Sequence, residues 1–153
     1  MNLSKFNLHT VYLILIFSLI LVDQITKYLF ENVEFDFGFF ISILSKENFG
    51  SAFSLFSGIL LYPYFVIILS IIVLIIFFRY LDYFKQTKIL TYSFIFIVSG
   101  ILGNLIDRII FLHVRDFLYL KGFFIFNLAD LYLTIGIVLL VISKISENKT
   151  LKN

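Results

Sequence analysis

Four long apolar stretches, separated by polar segments, dominate the chain. They cover residues 8–30, 59–78, 89–106 and 123–142. A helix needs about 20 apolar residues to cross the hydrocarbon core of a bilayer, and each stretch is close to that length. The pattern therefore predicts an all-α membrane protein with four transmembrane helices.

The segments between these stretches differ in length and character. Residues 31–58 form a long polar connection in which Val33, Phe35 and Phe37 alternate with polar residues, which is a weak signal for a strand. We predict a small β-containing domain there, on the surface of the membrane. Residues 79–88 are a short connection, and no internal repeat or linker divides the chain, so residues 1–153 are expected to form a single domain.

The first apolar stretch has the shape of a signal peptide, because Lys5 precedes an apolar run. The run is followed by Val22, Asp23 and Gln24 rather than by small residues that a signal peptidase would cleave. We therefore interpret this stretch as a retained first helix.

Composition excludes several classes of protein. Hydrophobic residues make up 61% of the chain and charged residues 14%, whereas soluble proteins are roughly half apolar and a quarter charged. The chain has no cysteine, and His9 and His113 are its two histidines, so we expect no metal or other cofactor. A net charge of +2 is too small to indicate nucleic-acid binding.

The basic residues indicate an orientation in the membrane. One side of the predicted topology carries seven of them and the other side carries five. The side with more is Lys5, Arg79, Lys85, Lys88, Lys144, Lys149 and Lys152. Basic residues concentrate on the cytoplasmic side of membrane proteins, so both termini are predicted to be cytoplasmic and the polar loops extracytoplasmic.

Three predicted helices carry polar residues near their outer ends, where such residues are expensive to insert into a membrane. The spacings place them on one face of each helix: Asp23 with Lys27, Asn104 with Asp107 and Arg108, and Asn127 with Asp130. These polar stripes are expected to face one another. A structural interpretation also exists, in which Asp23 and Lys27 are a simple ion pair and Asp107 and Arg108 an interfacial charge pair.

The residues alone leave the chemistry open. Asp130 precedes a long apolar run without a basic neighbour, so it needs a partner or a raised pKa. Spacing does not decide between Asp107 and Asp116 as a second acid. Intramembrane acids also suit a small proton- or solute-translocating protein. A serine protease using Ser99 and His113 is disfavoured because the surrounding sequence lacks the usual glycine pattern. Gly100 and Gly103 are interpreted as helix-packing residues.

Five short motifs occur in order along the chain. They read VDQITK at 22–27, NFGSAFS at 48–54, GNLIDR at 103–108, VRDF at 114–117 and FNLAD at 126–130. This set resembles the motifs of the signal peptidase II family, also called lipoprotein signal peptidases. Any one motif is weakly specific, whereas five in the family's order are a strong signal.

The resemblance implies an aspartic endopeptidase of the bacterial inner membrane, with its site on the extracytoplasmic side. It implies cleavage of prolipoproteins just before a diacylglyceryl-modified cysteine. Membrane lipids are expected as further partners, and a monomer would suffice for the function. The implied catalytic residues are Asp116 and Asp130. The other implied site residues are Asp23, Lys27, Asn48, Gly50, Ala52, Asn104, Arg108, Asn127 and Ala129.

Two features of the chain bear on this expectation. The segment between Asp116 and Asp130 is short for the family, which could alter substrate preference. Residues 48–57, with the aromatic Phe53 and Phe56, are expected to form a mobile flap over the site.

Overall fold

The computed structural model describes residues 8–50 and 59–150. Its elements follow one another as α1 (Leu8–Leu29), β1 (Glu34–Asp36), β2 (Ile41–Asn48), α2 (Tyr62–Arg79), α3 (Leu81–Phe84), α4 (Lys88–Phe111), β3 (Val114–Leu120), β4 (Phe124–Phe126) and α5 (Leu128–Thr150). The predicted fold class, a helical membrane protein with a small β domain, is therefore confirmed.

Among the described residues, α1, α2, α4 and α5 are long and apolar enough to cross a membrane. The first of them matches its predicted range to within one residue. Helix α2 begins at Tyr62, a few residues later than predicted, and Pro63 lies in its first turn. Proline suits that position because the first N–H groups of a helix have no partner within the helix.

Helix α4 is the central helix of the bundle. Most of its span is buried in the protein, whereas the other three spans leave most of their residues exposed. Its first turn is fixed by Thr87, whose hydroxyl accepts a hydrogen bond of 3.2 Å from the Leu90 N–H. Leu90, Phe94 and Val98 then form the centre of the apolar core.

Small residues allow α4 and α5 to lie very close together. A Cβ atom at Gly100 would lie 2.5 Å from the carbonyl oxygen of Ala129, so no larger residue fits there without a shift of the helices. The Ser93 hydroxyl donates a hydrogen bond of 2.7 Å to the carbonyl of Gly136 across the same interface. Close approach and interhelical hydrogen bonds are what hold helices together in a membrane. The interpretation of Gly100 as a packing residue is confirmed.

The four strands form one antiparallel sheet in the order β1-β2-β3-β4. At one end of the sheet Asn48 pairs with Val114, next to the end of α4, and at the other end Ile41 pairs with Leu120. The weak strand signal in residues 31–58 corresponds to β1, but most of that segment's pairing is made by β2.

The bounds of α4 and α5 differ most from the sequence predictions, and α5 ends at Thr150 instead of residue 142. Helix α4 continues to Phe111 instead of stopping at residue 106, because Asp107 finds buried partners and need not mark the membrane surface. Helix α5 begins at Leu128 instead of residue 123. The apolar residues Phe124–Phe126 do not start this helix, because their backbones pair with β3.

Candidate active site

The three polar stripes meet at the end of the bundle that adjoins the sheet. Lys27 of α1 contacts Asn104 and Asp107 of α4, and Asn104 in turn contacts Asp130 of α5. The expectation that the stripes face one another is therefore correct.

One predicted site residue, Ala52, lies outside the described residues. The predicted flap also lies outside them from residue 51 onward, including Phe53 and Phe56.

Lys27 is the centre of a buried group of charges. Its Nζ lies 2.8 Å from Oδ2 of Asp23 and 3.3 Å from Oδ2 of Asp107, and all three side chains are completely buried. The same Nζ donates a hydrogen bond of 3.0 Å to Oδ1 of Asn104. Charges are tolerated at such depth only when they are paired and hydrogen-bonded, and this lysine is both.

Arg115 of β3 supplies the second positive charge of this group. Its Nη2 lies 2.8 Å from Oδ1 of Asp107, and its backbone N–H donates to Oδ2 of the same carboxylate over 3.0 Å. The other acceptor of Nη2 is the side-chain oxygen of Gln24, at 2.9 Å. We call Asp23, Lys27, Asp107 and Arg115 the ion-pair cluster; it holds two acids and two bases.

Sequence reasoning missed Arg115. The signal for it was the charge balance of the stripes, since Asp23 and Asp107 share the single lysine Lys27 and so require another cation. The interpretation of Asp107 and Arg108 as an interfacial charge pair is wrong, because the partners of Asp107 are Lys27 and Arg115.

Asp23 also fixes the start of α5. Its Oδ1 accepts a hydrogen bond of 2.8 Å from the backbone N–H of Ala129, in the first turn of that helix. A carboxylate is favourable there because the first N–H groups are unpaired and the helix dipole is positive at this end. Gly103 permits the contact, since a Cβ atom there would lie 2.7 Å from Oδ2 of Asp23 and 3.0 Å from Cβ of Ala129.

Asn127 and Asp130 hold each other at the same helix start. The Asn127 side-chain oxygen accepts from the Asp130 N–H over 3.0 Å, and Oδ2 of Asp130 accepts from the Asn127 N–H over 3.2 Å. This reciprocal arrangement is the geometry of a capping box, here with asparagine and aspartate in place of the usual serine or threonine and glutamate. The Asp130 carboxylate is therefore fixed by its own helix terminus.

Asp116, on strand β3 of the sheet, contacts the start of α5 through Asn127. Its Oδ1 accepts a hydrogen bond of 2.6 Å from Nδ2 of Asn127, and its Oδ2 accepts one of 2.9 Å from Nδ2 of Asn48. Asn48 is the last residue of β2 and pairs with Val114, so the register of the two strands brings its amide to the carboxylate. Asp116 is buried, with 3% of its surface exposed.

Asp116 and Asp130, which we call the acid pair, differ from the ion-pair cluster in their partners. Oδ1 of Asp130 accepts from Nδ2 of Asn104 over 2.8 Å, so each of the four carboxylate oxygens of the pair has a neutral amide donor. Within the described part of the chain, neither acid forms an ion pair with a lysine or arginine.

The surroundings of Asp116 favour its protonated form. Burial is the largest cause, and together with the negative charge of Asp130 it raises the pKa of Asp116 from 3.8 to about 7. The hydrogen bonds from Asn48 and Asn127 act in the opposite direction, because they stabilise the carboxylate.

The acid pair opens into a cavity of about 330 Å³. Asn48, Asn104 and Arg108 contribute polar groups to its wall, while residues 124–126 of β4 and Leu133 of α5 contribute apolar surface. Such a wall can contact both apolar and polar groups of a ligand.

Arg108, in the wall of this cavity, is hydrogen-bonded to Gly50. The guanidinium of Arg108 donates to the Gly50 carbonyl over 3.4 Å, and the Gly50 N–H donates to Oδ1 of Asn48 over 3.0 Å. The predicted site residues of the second and third motifs are thus brought together, apart from Ala52. No group of three histidine, cysteine or acidic side chains suited to holding a metal ion occurs in the described ranges 8–50 and 59–150.

Comparison with known proteins identifies the family of this chain. A family model described as signal peptidase II matches residues 15–146. A lipoprotein signal peptidase of Caldicellulosiruptor bescii is 38% identical, over 90% of this chain and 92% of that protein. That of Pelagibacter ubique is 33% identical, over 99% of this chain and 96% of its own. These similarities do not favour the alternative of a translocating protein.

Solved structures agree with the family assignment. A bacterial membrane enzyme determined by the in meso method superposes with a TM-score of 0.83 at 28% identity, over 95% of this chain and 93% of that one. A second such enzyme gives a TM-score of 0.75 at 29% identity, over 94% and 97% of the two chains. On this evidence, the chain belongs to the signal peptidase II family of aspartic peptidases and is a multi-pass membrane protein.

Proposed function

We propose that this peptidase removes signal peptides from prolipoproteins by cutting before a diacylglyceryl-modified cysteine, with Asp116 and Asp130 as its catalytic residues. One observation carries the assignment of the residues. Asp116 and Asp130 line one cavity with amide donors on every oxygen and no direct cation among the described residues, whereas Asp23 and Asp107, which are completely buried, are paired with Lys27 and Arg115.

Two neighbouring carboxyl groups can supply both halves of peptide hydrolysis. Because like charges repel, the pair retains one proton between its members near neutral pH. The ionised member accepts a proton from the attacking water, and the protonated member donates a hydrogen bond to the scissile carbonyl. The tetrahedral intermediate then collapses as a proton passes to the departing nitrogen. Because its pKa is raised to about 7, Asp116 carries the shared proton below about pH 7.

The remaining site residues act by positioning. Asn48, Asn104 and Asn127 orient the two carboxyl groups through their side-chain amides. Asp23 and Lys27 hold α1, α4 and α5 together beneath them, with Ala129 as the contact on α5. Arg108 borders the cavity where the substrate backbone would lie, and the Gly50 carbonyl accepts a hydrogen bond from its guanidinium.

The membrane setting suits a lipid-modified substrate. The cavity is bounded by α4 and α5, so an apolar signal peptide and its lipid chains can reach it from the bilayer. The excess of basic residues on the opposite side supports an orientation with both termini in the cytoplasm of a bacterial inner membrane and the site on the outer face. All of these groups come from one chain, so a monomer is sufficient.

The first test is cleavage of a diacylglyceryl-modified prolipoprotein by the purified protein in detergent. We expect Asp116→Asn and Asp130→Asn each to lower the rate by at least about 100-fold, the range that general acid–base groups contribute. Thr134→Val, which alters another residue of the cavity wall, is the matched control and should stay within a few-fold of wild type. Turnover at the wild-type rate in either aspartate variant would refute the assignment.

The orientation has a separate test, which the absence of cysteine makes simple. Glu34→Cys places a thiol on β1 and Gln86→Cys places one in the connection between α3 and α4, both at exposed positions. In intact cells, a membrane-impermeant maleimide should label the first variant and not the second. The reverse pattern would contradict the proposed topology.

A further inference from the structure

A second cavity adjoins the one that contains the acid pair. Its volume is about 310 Å³, and its wall shares Asp116, Phe124 and Ile125 with the first cavity. Because they share these wall residues, the two cavities adjoin at Asp116, and we consider them together as one groove beside the proposed catalytic carboxyl group. A peptide chain cut at Asp116 would extend into both of them.

The two halves of the groove have different walls. The first cavity is lined in part by Asn104 and Arg108 of α4 and Leu133 of α5, which belong to transmembrane spans. The second is lined by residues of the sheet and its turns, namely Leu44, Lys46, Asp116, Tyr119, Phe123, Phe124 and Ile125. An apolar signal peptide and lipid chains belong beside the spans, so the second cavity is the place for the polar residues that follow the cleavage point.

Lys46 is the basic residue of this second cavity. It lies directly opposite Asp116 in the pairing of β2 with β3, and its side chain is exposed to the groove. Lys27 and Lys121, on the same side of the protein, are held by Asp23 and Asp36 respectively. Within residues 8–50 and 59–150, Lys46 forms no such ion pair, and residues 51–58 contain no acid that could provide one.

We propose that the second cavity binds the first residues of the mature lipoprotein and that Lys46 selects substrates with an acidic side chain there. This inference rests on the proposed function and adds a substrate preference to it. The cysteine occupies the position next to Asp116, and each extended residue advances about 3.3 Å. The second to fourth residues of the mature chain therefore lie within reach of the lysine. An ammonium group in a half-open groove attracts a carboxylate and repels another cation.

The test uses substrates that differ at one position. Diacylglyceryl-modified peptides carry Asp, Asn or Lys in turn at the second, third and fourth residues after the cut, and kcat/KM is compared within each set. For wild type we expect Asp to exceed Asn by about two- to fivefold at one position, the size of an exposed ion pair, and Lys to be poorest. The preference should weaken in 1 M salt, where the screening length is about 3 Å.

Variants of Lys46 then decide the matter. Lys46→Gln should remove the difference between Asp and Asn, and Lys46→Glu should reverse the order so that the Lys substrate is cut fastest. Lys121→Gln, which removes a lysine at the far end of the sheet, should retain the preference of wild type. Ratios between substrates are insensitive to the amount of folded enzyme, which melting curves record separately.

Two results would overturn the proposal. One is an unchanged order of substrates in Lys46→Glu. The other is an effect of the Lys46 variants on kcat/KM for peptides with an acid before the cysteine rather than after it. That result would assign the second cavity to the signal peptide. Failure of the proposed function would give a different result from these two. The Asp116→Asn variant would then still cleave the peptide that carries Asn after the cut.

Discussion

The ion-pair cluster and the acid pair lie next to each other and each contains two aspartates, but their partners differ. Asp23 and Asp107 face Lys27 and Arg115, so the cluster is electrically balanced and fully hydrogen-bonded. The acid pair is surrounded by the amides of three asparagines instead. Amides orient a carboxyl group as well as a cation does, but they do not neutralise its charge.

This difference explains how one site can contain three buried acids and one half-buried acid, Asp130, with separate tasks. A carboxylate in a balanced ion pair has little tendency to accept a proton, so it serves as structure. A carboxyl group that is buried beside another acid and receives only neutral donors can exchange a proton near neutral pH, as the pKa of Asp116 indicates. These partners support the proposal of Asp116 rather than Asp107 as the second catalytic acid, a choice that spacing leaves open.

The largest expected effect comes from removing the cation of the ion-pair cluster. Lys27→Met would leave Asp23 and Asp107 buried with the single remaining cation Arg115. Breaking a buried ion pair by removing one partner typically lowers the free energy of unfolding by about 3–5 kcal/mol. We expect a loss of that size in chemical unfolding in detergent.

The matched control for this variant is Lys121→Met. Lys121 also pairs with an aspartate, Asp36, but at an exposed position where 65% of the acid's side chain is accessible. Exposed pairs contribute about 0–1 kcal/mol, so this variant should unfold nearly as wild type does. Equal losses in the two variants would show that burial does not distinguish them, contrary to the comparison.

The acid pair should show the opposite response, in which removal of a charge stabilises the protein. The pKa of Asp116 is about 7 in the folded protein, whereas 3.8 is the ordinary value expected for the unfolded chain. Between these two values only the unfolded chain releases the proton, so the folded state loses stability as the pH rises from about 4 to 7. Asp116→Asn abolishes this loss. Its melting temperature should exceed that of wild type by several degrees at pH 8, since 1 kcal/mol corresponds to about 2–4 °C in a chain of this size.

The pH dependence checks the cause of that stabilisation. The gain of Asp116→Asn should be largest above pH 7 and should vanish below about pH 4, where the carboxyl group becomes protonated in both the folded and the unfolded state. A gain that is the same at all pH values would point to better packing rather than to the removed charge.

Much of the fold follows from apolar length alone, and the exceptions have identifiable causes. Four transmembrane spans are evident because each apolar stretch is longer than a helix in the core of a soluble protein requires. Strands β3 and β4 are absent from the sequence predictions. Residues 123–126 are as apolar as the helix that follows them, so hydrophobic pattern alone assigns them to that helix, whereas in the structure residues 124–126 form a hairpin with the end of β3.

The site shows the same division between local and long-range information. Helical spacing places Asn104 with Asp107 and Asn127 with Asp130 on shared faces, so the convergence of the stripes is predictable. Arg115 and Asp116 are neighbours on a strand and therefore point to opposite faces, one toward Asp107 and the other toward Asn127. Which of them enters which cluster depends on the register of β3, and that is visible only in the folded protein.

The smallest effect concerns a single hydrogen bond of the acid pair. The amide of Asn48 stabilises the Asp116 carboxylate and so lowers its pKa. In Asn48→Ala the alkaline limb of the kcat/KM profile, expected near pH 7 in wild type, should move upward by about half to one pH unit, the equivalent of one hydrogen bond. Glu47→Ala alters the preceding residue of β2, whose side chain approaches His113 and not the acids, and should leave the limb in place. A limb that moves downward or stays fixed in Asn48→Ala would mean that the amide of Asn48 does not control the protonation of the pair, and the contrast between amide-held and cation-held acids would then lose its chemical basis.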